Sequence, residues 1–219
     1  MPLCSKAAVI TVAKDFLELV CVQYNMQVKE WMSNASDEYK SDAFDQALLE
    51  KRIIINQSAP WTPMQNGHAE RLMCTLINKA EAMWHQACIP QSWWEFVFAH
   101  ATHVYNCTPV AHLNWCTPHE ALKEELPAID HLRVFSCRVY VYLPATAQAN
   151  KMAPKSELMT YIGVAPGNEH NFLFMRSTNA VLTATHAIFD ECDFPCCPKN
   201  KCNPLKIPQG AVPPTKKTS

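Results

Sequence analysis

The sequence predicts an α/β half followed by a small all-β half. Three observations predict it. Helical and strand patterns alternate over the first 125 residues, in the order helix, strand, helix, strand, helix. From His131 the apolar period shortens from helical to strand-like. Short β-rich runs separated by turn signals then continue to about residue 191, the pattern of a small barrel.

Residues 5–24 are predicted helical, because Val9, Val12, Ala13, Phe16, Leu19, Val20 and Val22 recur at helical spacing. Residues 27–32 alternate loosely and read as a short strand. The polar residues 33–41 read as a loop, and Asp42–Lys51 as a helix with Phe44, Ala47 and Leu48 on one face. Ile53-Ile54-Ile55 is a β-branched run that suits a buried strand.

Ser58–Thr75 carries the most information. Pro60 and Pro63 fix φ and remove backbone donors, so neither strand nor helix runs through them. A long helix follows, its apolar stripe set by Ala69, Leu72, Met73, Leu76, Ile77, Ala80, Met83, Trp84 and Ala87. Glu70 falls in the first turn at the border of that stripe. There the helix dipole favours a carboxylate, and the site is expected to be half shielded from water, which suits a metal ligand, although on composition alone Glu70 reads as an ordinary first-turn acid.

Residues 89–107 form a further predicted helix, with Pro90 in its first turn and Trp93, Phe96, Val97, Ala101, Val104 and Tyr105 as its core side. A short helix opens at Pro118, and residues 108–130 act as a connector. Arg138–Leu143, Phe172–Met175 and Ala187–Phe189 are predicted strands. Residues 195–219 hold six prolines and five lysines and are predicted disordered.

The chain has 219 residues, 48% of them hydrophobic, enough for a core. Its net charge of −1 exerts no global attraction for nucleic acid, so any such binding must come from a local patch. No apolar run is long enough to span a membrane and no signal pattern opens the chain, so a soluble, intracellular protein is expected. In that setting 11 cysteines do not suggest a disulfide framework. Cys192, Cys196, Cys197 and Cys202 match no two-plus-two zinc ligand spacing and read as chance clustering; His85 and Cys88 read as structural or incidental.

Ser58-Ala59-Pro60-Trp61-Thr62-Pro63-Met64-Gln65-Asn66-Gly67-His68-Ala69-Glu70-Arg71 closely resembles S-A-P-Y-T-P-Q-Q-N-G-x-A-E-R of copia-type retrotransposon integrases. Further resemblances are Tyr105-Asn106-Cys107-Thr108-Pro109 to Y-x-x-N-R-x-P, Thr117-Pro118-His119-Glu120-Ala121-Leu122 to T-P-Y-E-x-L, and His131–Val141 to H-L-R-V-F-G-C-x-A-Y-V. The resemblance implies a truncated RNase H-like integrase core with trailing helices over 1–125 and an SH3-like β domain over 131–191.

It also implies that Glu70 stands at the last acid of an Asp, Asp, Glu triad that binds two Mg²⁺ or Mn²⁺ ions. The first Asp belongs to strands upstream of the segment that resembles residues 5–24. The second lies in S-D-N-G-G-E-Y/F, 35 residues before the Glu. A gapless alignment puts Asn34 there, because 35 residues run from Ala35 to Ala69. A rival alignment uses Asp37 and leaves 32. Asn lacks the charge that holds a hard cation, and two-metal chemistry needs several carboxylates. The chain is therefore expected not to bind the metals and not to catalyse integration.

The departures share a signature: Cys74 and Cys107 replace Arg, Asn34 replaces Asp, and Ser36 and Ser136 replace Gly. Each is one codon transition away, the pattern of an unselected relic. Asn66, Arg71 and Lys79 are the leading candidates for nucleic-acid contacts, with Lys51, Arg52, Arg133 and Arg138 behind them. The expected partners are DNA or RNA, and a second copy or a protein partner at the open edge of the 27–32 strand. The alternative is a non-enzymatic protein- or RNA-binding assembly module. The nucleus is the compartment the resemblance implies.

Overall fold

A computed structural model of the chain describes residues 8–33, 42–58, 66–143, 152, 154–167 and 170–197. The elements are α1 (Ala8–Tyr24), β1 (Glu30–Ser33), α2 (Asp42–Glu50), β2 (Ile54–Gln57), α3 (Gly67–Ala87), α4 (Trp94–Asn106), α5 (Pro118–Lys123), β3 (Arg138–Tyr142), β4 (Ser156–Val164), β5 (Phe172–Met175), β6 (Val181–Ala184) and β7 (Ala187–Asp190). They fall into two compact units. One holds residues 1–82 and 98–130; the other holds 83–97 and 131–219.

In the first unit β1 and β2 pair in parallel, Glu30 with Ile54 through Ser33 with Gln57. A parallel pair needs a crossover connection, and α2 supplies it. Val9, Ala13 and Leu17 of α1, Phe44 and Leu48 of α2, and Ile53 form one core cluster, with Trp31 and Ile55 packed against it. Trp31 and Phe44 meet edge to face, 5.7 Å between centroids, a favoured aromatic geometry.

Two expectations fail here. Ile54 is 59% exposed, so the isoleucine run is not a fully buried strand. Period two sends Ile53 and Ile55 to the core and Ile54 to the other sheet face. On α1 the buried line is Val9, Ala13 and Leu17, whereas Val12, Phe16, Leu19 and Val22 are exposed. That helix is apolar on more than one side, so periodicity marked the helix and not its buried face.

α3 behaves similarly. Leu76, Ala80 and Ala87 are buried, but Leu72 and Met73 near its start are exposed. α4 follows a single 3-10 turn at Gln91–Trp93 and buries Trp93, Val97, His100 and Ala101. Thr117 caps α5 through a capping box: its hydroxyl accepts from Glu120 N, and Glu120 accepts from Thr117 N.

The second unit carries a five-stranded antiparallel sheet in the order β6-β5-β4-β3-β7. Cys137, Val139, Val141, Met159, Tyr161, Phe172 and Phe174 form its core, with Phe189 packed against them. The edge strands β6 and β7 do not pair with each other, so the predicted small barrel is a sheet that does not close. β6 lacks a strong apolar pattern and was not predicted. It is defined by its register against β5, from Phe172 with Ala184 to Met175 with Val181. The β4–β5 register shifts between Tyr161 and Gly163, and Gly163 has φ 137°. This is a bulge that calls for glycine.

No described helix is long and apolar enough to cross a membrane. All but the first three residues of the 195–219 stretch, including Cys202, lie outside the described residues.

Candidate active site

The parallel pairing of β1 and β2 puts their carboxyl ends side by side. Ser33 and Gln57 are partners, and Ser58 N donates to Ser33 O at 3.0 Å. The carboxyl edge of a parallel sheet is where α/β folds place ligand chemistry. Asn34 follows Ser33 directly in the chain. Asn34 and Asp37 both lie outside the described residues.

Glu70 is the acid in the first turn of α3. It is exposed, not half shielded as expected, because the stripe beside it is not covered at that end of the helix. Asn66, just before the helix, is half-buried. Arg71 is exposed, and its carbonyl accepts from Thr75 Oγ1 at 2.9 Å. Lys79 is half-buried two turns further on.

Among the described residues, no three His, Cys, Asp or Glu side chains come together in a group that could hold a metal ion. Glu70 is a solvated carboxylate, and a two-metal site needs charge from several ligands.

The remaining cations are partly committed. Arg138 Nε lies 2.7 Å from Asp193, and Arg133 Nε lies 3.8 Å from Glu191 while its guanidinium sits 5.3 Å over the Phe189 ring. Lys51 and Arg52 are exposed in the turn after α2. Arg133 and Arg138 belong to the unit that holds the five-stranded sheet.

Two features were missed from the sequence. First, Tyr140 and Tyr142 are 41% and 55% exposed on the outer face of β3, beside Ile188, along a shallow groove of about 430 Å³. Exposed rings of this kind can stack nucleobases. The period of two in Arg138–Leu143 already put both tyrosines opposite the core residues Val139 and Val141. Second, the Cys88 Sγ lies 2.8 Å from that of Cys197. The two are 109 positions apart, so no local signal reveals the pair.

Burial sorts the thiols. It pushes Cys137 up to about 12, with the Glu191 charge adding to the effect. It also raises Cys196, against a hydrogen bond with Ser136 that lowers it. Such thiols are poor nucleophiles. Burial raises the Tyr161 phenol as well.

Residues 137–202 match the family described as "Retroviral polymerase SH3-like domain", a stretch that contains all five strands of the sheet. The Retrovirus-related Pol polyprotein from transposon TNT 1-94 of Nicotiana tabacum is 29% identical over 159 residues, 73% of this chain. That from transposon RE1 of Arabidopsis thaliana is 30% identical over 138 residues, 63% of this chain.

The chain is a relative of retrotransposon Pol polyproteins. This Pol relative spans about 12% and 9% of the lengths of those two polyproteins. A chain of the simian T-cell lymphotropic virus intasome, solved with the PP2A regulatory subunit B56 gamma, aligns with 84% of the Pol relative and 63% of its own length, at TM-score 0.45 and 13% identity.

Proposed function

We propose that the chain is an integrase-related Pol segment that does not catalyse strand transfer and retains nucleic-acid binding at most. In this proposal residues 1–125 derive from the RNase H-like core and 131–191 are the SH3-like part. One observation carries it: Glu70 is exposed and belongs to no group of three or more His, Cys, Asp or Glu among the described residues, while the gapless alignment puts a neutral Asn34 at the second acid position. Neither Mg²⁺ nor Mn²⁺ is expected to bind at this position. DNA or RNA is the expected partner, and the nucleus the expected compartment.

The test is calorimetry of the full chain with Mn²⁺ and with Mg²⁺, using Glu70→Gln as control. The expected result is no heat that depends on Glu70. Tight, Glu70-dependent binding overturns the proposal and makes strand-transfer assays worthwhile. DNA titrations at several salt concentrations read the residual binding, since phosphate contacts give a steep salt slope.

A second reading is a protein- or RNA-binding assembly module. Its support is exposed apolar surface: Phe16, Leu19 and Val22 on α1, and Met32 and Ile54 on the sheet face away from the core. In this reading a second copy or a protein partner covers that surface or adds to the edge of β1. A salt-insensitive complex with protein, without DNA affinity, favours it.

A further inference from the structure

Cys88 and Cys197 both belong to the second compact unit. Their sulfurs are 2.8 Å apart, about 0.8 Å beyond the roughly 2.05 Å length of a disulfide bond. Both ends of the pair are held in place. Cys88 follows the last residue of α3 and takes a left-handed φ of 52°. Its flanking residues Ala87 and Ile89 are 1% and 5% exposed, and Trp84 Nε1 donates to Ile89 O at 2.6 Å, closing the turn around it.

Cys197 N donates to Phe194 O at 3.0 Å. The start of that loop is clamped to β3, because Asp193 accepts from Arg138 N through its carbonyl at 2.8 Å and pairs with Arg138 Nε through its carboxylate. Cys197 is 8% exposed, whereas Cys88 is half-buried, so a reagent from solvent reaches Cys88 first.

We propose that Cys88 and Cys197 are a redox site that closes to a disulfide on exposure to a small disulfide oxidant such as oxidised glutathione. The Cys88 thiolate attacks one glutathione sulfur, the glutathione S–S bond breaks, and one glutathione thiolate leaves. The Cys197 thiolate then attacks the Cys88 sulfur of the mixed disulfide and displaces the second glutathione. The protein loses two electrons and two protons, and one oxidised glutathione becomes two reduced ones. The closed bond ties the end of α3 to the segment that follows β7. Cys196 is the adjacent thiol, and Cys197, whose sulfur faces that of Cys88, is the resolving partner.

The test uses the full chain, purified reduced and then incubated with oxidised glutathione. Remaining thiols are alkylated, and the chain is digested without reductant by trypsin and chymotrypsin and mapped by fragmentation. The expected product is a Cys88–Cys197 crosslink with a mass loss of two hydrogens, reversed by dithiothreitol, and joint loss of alkylation at both positions. It is expected to persist in Cys196→Ser and to vanish in Cys88→Ser and Cys197→Ser variants whose circular dichroism matches the parent. Full alkylation of Cys88 after the treatment overturns the proposal, and so does a crosslink from Cys88 to Cys196. The map of the unsubstituted chain decides the matter even where a variant fails to fold.

Discussion

The backbone N–H of Ser136 donates to the carbonyl of Tyr161 at 2.9 Å while Ser136 itself is fully buried at a left-handed φ of 62°. The copia-type pattern has glycine at this position, and the geometry supplies the reason. A non-glycine residue in that region costs about 1–2 kcal/mol, and glycine returns about 0.5–1 kcal/mol through the entropy of its unfolded chain. Ser136→Gly is therefore expected to stabilise the sheet unit by about 0.5 kcal/mol. Urea unfolding followed by tyrosine fluorescence measures it, and a loss of stability would mean that what the buried side chain contributes outweighs the backbone strain.

Gly163 offers the opposite substitution. At φ 137° an L-residue is strained, yet a Cβ there would meet nothing within 4 Å. Gly163→Ala is expected to lose about 1–3 kcal/mol, all of it conformational. Gly67→Ala is the control, since Gly67 opens α3 without a positive φ and also has open space around it. It is expected to be neutral or to gain up to about 1 kcal/mol. Equal effects at the two sites would remove the backbone explanation.

Alkaline pH should weaken the sheet unit. Cys137 has a folded pKa raised from 9.0 to about 12, chiefly by burial. Between these values the unfolded chain has lost the thiol proton and the folded chain keeps it, so stability falls as pH rises. The contribution is fully present below pH 9 and is lost progressively toward pH 12. Tyr161 acts in the same direction above its ordinary value of 10.0. Denaturant midpoints measured from pH 8 to 11 should decline, and less steeply in Cys137→Ala. Parallel profiles would assign the decline to other groups.

The two alignments of the second acid position make different demands. With Asn34 at that position, Asn34→Asp is expected to raise Mn²⁺ affinity by about tenfold or more, because carboxylate charge controls binding of hard cations. Adding Glu70→Gln should abolish the gain. Asp37→Asn should change nothing. Metal affinity that depends on Asp37 in the unsubstituted chain would favour the rival alignment.

Much of the fold was legible locally. Phe172–Met175 is a strand with the predicted bounds, and the helix carrying Glu70 runs as its apolar spacing requires. β6 was not legible, because Val181–Ala184 is at most half-buried and becomes a strand only through its partner β5. Glu70 was legible as a position and not as an environment. Its place in the first turn follows from Gly67 and the apolar stripe, whereas its exposure depends on what covers Leu72 and Met73.

The sequence by itself determined most element types, the change from helical to strand period at residue 131, and the Glu70 segment with its resemblance. These are set by backbone preferences and apolar spacing that act within one or two turns of chain. Only the tertiary structure decided that β7 returns to pair with β3, that Ser136 is forced into a left-handed turn, and that Cys88 meets Cys197. Each of these requires segments far apart in the chain to close against one another. Such closure is selected by the summed burial of a whole unit, and no short window of residues encodes it.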